Sequence, residues 1–244
     1  MARRFHVPSV YVGQIPLEPA QAHHAREVLR LIDGNTVEVF DNAGVVASGM
    51  LVIGEDSDVL IRVDRIDSPS DIEVSRITVA SAVPKGERAD WMVEKLSELG
   101  IWAFIPLITE RSVVKPQGTN KQERWARIAT ESAKQSRRHG VMRIEEVTGI
   151  KPVIEQWKQH NNARALYLST EPGAQPILPL LAETPAAHEL ILLVGPEGGW
   201  SESELELLKT SGATGVKLTS TILRVETAAI AGAVAAQLAT KQRP

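Results

Sequence analysis

The run Leu192-Leu193-Val194 passes without a polar residue into Gly195-Pro196-Glu197-Gly198-Gly199-Trp200-Ser201, and no other stretch restricts the fold as much. An apolar strand that opens into a glycine-rich turn and then a helix is half of a βα unit, the building block of a parallel sheet covered on both faces. Ser201 and Glu204 form an S-x-x-E capping box, which sets the helix start. Three glycines beside a proline keep the turn rigid and let its backbone approach a flat ligand closely. A Walker loop would end in G-K-[ST]; this turn carries Glu197 and no lysine, so a neutral or cationic nucleotide-like ligand suits it better than a triphosphate. Taken alone, the turn is equally a tight strand-to-helix connection with no ligand.

The same alternation runs through the C-terminal part. Strands are expected over 76–82, 101–108, 164–169, 189–194 and 215–218. A helix lies between the first two, with Ala89, Met92, Val93, Leu96 and Leu99 at helical spacing and Gly100 at its end. In such sheets ligands bind at the carboxyl ends of the strands. Earlier residues read differently: strands over 36–40, 45–53 and 59–66, turns at Asp33-Gly34 and Asn42-Ala43-Gly44, and one helix over 19–31. This pattern predicts a small β-barrel. The polar run Asp67-Ser68-Pro69-Ser70-Asp71 marks the boundary, giving domains 1–71 and 72–244.

With 43% hydrophobic and 23% charged residues, the 244-residue chain has the composition of a globular protein. No apolar run approaches the roughly 20 residues of a membrane helix and no signal-peptide stretch is present, so a cytoplasmic protein is expected. Cysteine is absent, which excludes disulfides and thiolate chemistry. Between residues 111 and 151 ten Lys or Arg face four Glu, although the chain as a whole has a net charge of -3. Such a basic segment is either the footprint of a phosphate backbone or a solvated helix face. His23, His24 and His139 have no metal-ligand spacing, and no metal is expected. The five tryptophans are assigned mostly to core positions, Trp200 excepted, since it flanks the glycine turn.

A second loop, Leu218-Thr219-Ser220-Thr221-Ile222-Leu223-Arg224-Val225-Glu226-Thr227-Ala228-Ala229, leads into Ile230-Ala231-Gly232-Ala233-Val234-Ala235-Ala236, a helix with so few large side chains that another backbone must lie close to it. In isolation Arg224 and Glu226 read as a surface pair. Taken with G-P-E-G-G one βα unit earlier, however, I-L-R-V-E-T-A-A closely resembles the RsmE family of small-subunit ribosomal RNA uridine N3-methyltransferases, of the SPOUT superfamily. Met92 to Ile101, Pro106 to Ser112 and Glu131 to Arg138 resemble further family segments, and Val28-Leu29-Arg30 with the N-terminal strands resembles its PUA-like domain. The chain departs from the family at Leu218-Thr219-Ser220-Thr221, where leucine-glycine-x-arginine is usual, at Val225, where threonine is common, and at Val141-Met142, where valine-proline is usual.

The resemblance implies an α/β fold: a SPOUT-type parallel sheet with a C-terminal trefoil knot, plus a small N-terminal PUA-like β-barrel. It implies S-adenosylmethionine (S-adenosyl-L-methionine) as cofactor, held by Leu168, Ser169, Thr170, Glu171, Leu193, Gly195, Pro196, Glu197, Gly198, Gly199, Leu218, Thr219, Ile222, Leu223, Arg224, Thr227 and Ala228, with Leu193, Leu218, Ile222 and Leu223 as apolar walls. It further implies a homodimer acting on 16S rRNA in the small ribosomal subunit. Uridine N3 is protonated at neutral pH and its anion spreads onto the carbonyl oxygens, which favours a nearby guanidinium. Arg224, Arg111 and Arg138 are the candidates, with Glu226 or Glu197 as base or as an orienting group. RNA contacts are expected from Arg3, Arg4, Arg30, Lys85, Arg88, Lys95, Arg111, Arg124, Lys134, Gln135, Arg137 and Arg138. Two other readings fit part of the pattern: a non-catalytic RNA-binding or ribosome-assembly protein, and a SPOUT methyltransferase acting on another RNA position.

Overall fold

Where backbone and side-chain patterning agree over several residues, expectation and structure coincide. The computed structural model describes residues 3–54, 58–66, 76–116, 118–160, 163–183 and 189–241. The chain forms two compact units, one of Met1–Ile72 with Ala133–Val141, the other of Glu73–Ser132 with Met142–Pro244. The boundary expected at 71/72 lies outside the described residues.

The first unit holds a five-stranded sheet in the order β1-β3-β4-β5-β2, built from β1 (Arg3–His6), β2 (Gly13–Pro16), β3 (Thr36–Phe40), β4 (Val46–Ile53) and β5 (Val59–Val63). β1 runs parallel to β3 and all other pairs are antiparallel. Val37, Val39, Ala47, Leu51 and Ile61, on the inward side of the pleat, are completely buried. The predicted helix over 19–31 is shorter: α1 (Pro19–His23) passes into a wider π-type turn over His24–Val28, with the Leu29 amide bonded to His24 O, and Arg30 then takes a left-handed φ of 52°. Asp41, 4% exposed, accepts from the amides of Val10, Ala43 and Val45 and shapes the expected turn, in which Gly44 has φ 90°. Gly140 packs against Gly44, so a side chain at 140 would press on that turn's backbone at 3.3 Å.

The second unit contains a seven-stranded parallel sheet ordered β10-β12-β9-β11-β6-β7-β8. Its strands are β6 (Arg76–Ala82), β7 (Ala103–Leu107), β8 (Arg143–Ile144), β9 (Ala163–Leu168), β10 (Gln175–Pro176), β11 (Glu189–Val194) and β12 (Thr214–Lys217); the helices are α2 (Glu87–Glu98), α3 (Thr119–Ser136), α4 (Ile150–Lys158), α5 (Ile177–Glu183), α6 (Glu202–Thr210) and α7 (Val225–Lys241). Successive residues of β11 face opposite layers: Ile191 and Leu193 enter the cluster made with Ile150, Val153, Ile154 and Trp157 of α4 and Leu208 of α6, whereas Leu192 faces α7. At Gly232 an added Cβ would lie 2.5 Å from Leu192 Cδ2, which accounts for the small residues of α7. Two tryptophans depart from the expected core placement. Trp91 is 47% exposed, and Trp102 lies half-buried between Arg76 and Arg143. No helix among the described residues is long and apolar enough to cross a membrane.

Candidate active site

Strand register brings the candidate loops to one edge. Leu193 pairs with Tyr167, Val216 with Leu168, and Val194 with Ser81, so the segments after β9, β11, β12 and β6 all leave the sheet at its carboxyl end. The capping box forms as expected: the Glu204 amide donates to Ser201 Oγ at 3.2 Å and the Ser201 amide to Glu204 Oε2 at 2.9 Å. The other Glu204 oxygen accepts the Glu110 amide at 2.8 Å, which ties the loop after β7 to the start of α6.

That loop also holds the glycine turn. Arg111 donates to Gly198 O at 3.0 Å and to Trp200 O at 3.1 Å, and its side chain occupies the space a Cβ on Gly198 would need. Trp200 is buried beneath the turn, its ring against Gly195 and its Nε1 donating to Leu168 O at 2.9 Å. It therefore links the ends of β9 and β11. Gly199 takes φ 71° with its amide on Pro196 O, a backbone conformation that L side chains rarely adopt.

The loop after β12 supplies its own bracing. Thr219 Oγ1 accepts the Thr221 amide at 3.2 Å and donates to Thr221 O at 2.9 Å, a hydroxyl-closed turn at the site of the family's usual glycine and arginine. Ile222 stands 86% exposed beyond it and Leu223 is half-buried. Of the other expected apolar walls, Leu218 is half-buried, whereas Leu193 is 1% exposed and belongs to the core cluster below the turn. After β9, the Glu171 amide bonds to Ser169 Oγ, and the Glu171 carboxylate pairs with Lys209; Thr170 is exposed. Glu197 is exposed, and Pro196 is buried.

Arg224 and Glu226 are not a surface pair. Glu226 is 5% exposed; one of its oxygens pairs with Arg88 at 3.4 Å, while Oε2 is buried without a partner among the described residues. Arg224 is exposed, and the two line an open pocket of about 410 Å³ with Thr227, Arg88, Glu87 and Trp91. Sequence reasoning missed Glu87 and Trp91. A signal for the latter exists: it sits off the apolar stripe of Ala89, Met92, Val93 and Leu96, a large aromatic on the polar side of α2.

The expected RNA-contact residues divide. Arg4 is corrected to an interior role: its side chain is 7% exposed, it pairs with Glu38 at 2.6 Å, lies 4.1 Å over the Phe40 ring and donates to Ala133 O. Burial, the largest influence, lowers its pKa despite the opposing pull of Glu38. Lys95 is likewise engaged by Glu94 and Glu98, whose hydrogen bonds raise its pKa, and Arg124 pairs with Asp90. Helix α3 ends at Ser136, so Arg137, with φ 55°, and Arg138 lie beyond it rather than on it. Arg138 is half-buried in the first unit, and burial lowers its pKa to about 10, a setting for an interior cation. Arg3, Arg30, Lys85, Gln135 and Arg137 are exposed and Lys134 is half-buried.

Residues 71–237 match the family described as the RNA methyltransferase domain, so this parallel sheet with its converging loops is that of an RNA methyltransferase. The chain is 32% identical to ribosomal RNA small subunit methyltransferase E of Synechocystis over 88% of its own length and 69% of the relative, and 29% identical to that of Bacillus subtilis over 85% and 83%. The structure of Neisseria gonorrhoeae ribosomal RNA small subunit methyltransferase E bound to S-adenosyl methionine superposes with a TM-score of 0.83 at 28% identity, covering 98% of both chains. The chain belongs to the ribosomal RNA small subunit methyltransferase E family.

Proposed function

We propose that this protein transfers a methyl group from S-adenosylmethionine to N3 of one uridine in 16S rRNA of the small ribosomal subunit. Family membership supports the cofactor and the RNA class of the substrate. The observation that carries the N3 assignment is the Glu226 carboxylate in the wall of the same pocket as the exposed Arg224, with an oxygen that has no partner among the described residues.

The residues present fit the cofactor. The glycine turn is braced by Arg111 and Trp200, and the loop after β12 leaves Ile222 exposed and Leu223 half-buried, as a ligand with an apolar adenosine face requires. The backbone of Gly195 to Gly199 and of Leu218 to Leu223, with Leu168 to Glu171 and Thr227-Ala228, would hold it. Bound there, S-adenosylmethionine supplies a sulfonium-activated methyl group open to in-line displacement. The chain's own task is to prepare and align the acceptor. The Glu226 carboxylate, in the pocket wall, accepts the proton of uridine N3, and Arg224 faces the charge that spreads onto the carbonyl oxygens. The first turns of α2 and α7 both line the pocket, and their partial positive charge favours the same anion.

Three wider features complete the reading. α7 follows β12, which lies between β10 and β9 toward one end of the sheet, yet packs on β11, β6 and α2, which supports a trefoil knot. The N-terminal unit acts as a PUA-like barrel that holds RNA through Arg3, Arg30 and Arg137. Val234 and Leu238, apolar and exposed on α7, support a homodimer.

Incubation with labelled S-adenosylmethionine and small subunits lacking the modification, followed by nucleoside analysis, should yield 3-methyluridine. Arg224→Ala and Glu226→Gln should each reduce turnover by roughly 10²-fold or more. A different methylated nucleoside, or full turnover in both variants, would overturn the reading.

A further inference from the structure

The pocket at the starts of α2 and α7 contains two carboxylates, Glu87 and Glu226, and two guanidiniums, Arg88 and Arg224. Its formal charge is balanced, unlike the strongly positive surface that a phosphate selects. What remains distinctive is Trp91, 47% exposed although indole is among the most costly side chains to leave in water. On α2 it stands apart from the buried stripe of Ala89, Met92, Val93 and Leu96 and contributes to the pocket instead of the core. An exposed aromatic face beside hydrogen-bonding groups is how single-stranded RNA bases are received, because every base has a π-face to stack and a polar edge to satisfy.

We propose that this pocket receives the target nucleobase itself, splayed out of its strand, with the indole of Trp91 as the surface on which it stacks. The inference rests on the uridine reading above and adds to it the element that selects an extruded base. With one face of the ring on the indole, the base's polar edge is left for Glu226 and Arg224, which line the same pocket. Stacking supplies part of the free energy needed to unstack the base from the RNA, so a helical uridine that cannot be extruded would be rejected. Trp91 is a substrate-positioning residue in this scheme and takes no part in proton transfer.

The test uses the full-length protein, unmodified small ribosomal subunits and labelled S-adenosylmethionine, with Trp91→Ala and Trp91→Phe as variants. Trp91→Ala should raise KM for the subunits about tenfold or more, and Trp91→Phe, which keeps an aromatic face, should recover most of the loss. Cofactor affinity by equilibrium dialysis should stay within about twofold in both, since no residue assigned to that site is altered. As a readout independent of turnover, a hexauridylate should quench tryptophan fluorescence in the wild type and not in Trp91→Phe. An unchanged KM in Trp91→Ala would overturn the proposal. So would loss of cofactor binding, or a change of mass in ultracentrifugation, because either would make Trp91 a packing or self-association residue. If the wild type quenches with hexauridylate but forms no 3-methyluridine, the stacking platform stands and the N3 reading falls.

Discussion

Arg4 and Arg137 are both arginines of the first unit, and they occupy opposite environments. Arg4 is enclosed by Glu38, the Phe40 ring and Ala133 O, whereas Arg137 is exposed at the end of α3. Arg4→Ala removes a side chain packed on the Phe40 ring and its bond to Ala133 O, while Glu38 stays partly solvated, so the change should cost about 1–2 kcal/mol, seen as a fall of a few degrees in Tm. The salt dependence of RNA binding should not change in that variant. Arg137→Ala should do the reverse, leaving Tm in place and reducing the slope of log K against log salt by roughly 0.7–0.9. A further residue-scale effect follows from Ser203, which donates to Glu110 Oε1 at 2.6 Å and is the first cause of the lowered pKa of that exposed carboxylate. A group whose folded pKa is depressed stabilises the fold above its unfolded value and ceases to do so as pH falls through the folded one. Ser203→Ala should therefore lower Tm slightly at neutral pH, a difference that disappears on acidification below the ordinary value of 4.5. Melting curves of the two proteins across pH 2–7 check it.

At the level of elements, Gly232 of α7 marks a close helix-to-sheet contact. Alanine would gain about 1 kcal/mol in helix propensity, but its Cβ would stand 2.5 Å from Leu192 Cδ2, so that fully buried side chain would have to shift within the core. Overpacking of this kind costs about 1–3 kcal/mol, so Gly232→Ala should lower Tm by a few degrees, as calorimetry would report. The tight helix was legible from Ile230 to Ala236, as was the capped start of α6 at Ser201, because both depend on local chemistry. Strands β3, β6 and β11 were legible to the residue, since each has a clear apolar pattern and a polar or turn boundary. β1 and β2 were not: RRFH and GQIP are four residues each, too short for a period, and β1 owes its place to a parallel partner more than thirty residues away. The glycine turn and the Arg224 loop could be found from their composition. The roles of Arg111 and Trp200 as braces of that turn could not, because neither type of contact has a sequence spacing, and Trp91 was visible only as an aromatic on the wrong side of a helix.

For the whole molecule, the order β9-β11-β6 in the larger sheet matters as much as any side chain. β11 lies between two strands that both precede it in the chain, and its residues 189–194 come more than a hundred positions after β6 begins. A chain released after its first 180 residues thus has β6 and β9 with a vacant slot between them, two unsatisfied edges that can pair with any other extended chain. The nascent protein passes through a stage in which its sheet is divided down the middle, and a stalled or truncated chain of that length should aggregate where the finished one does not. The time between the emergence of β9 and that of β11 then becomes a determinant of yield, and lengthening it should favour off-pathway association over folding.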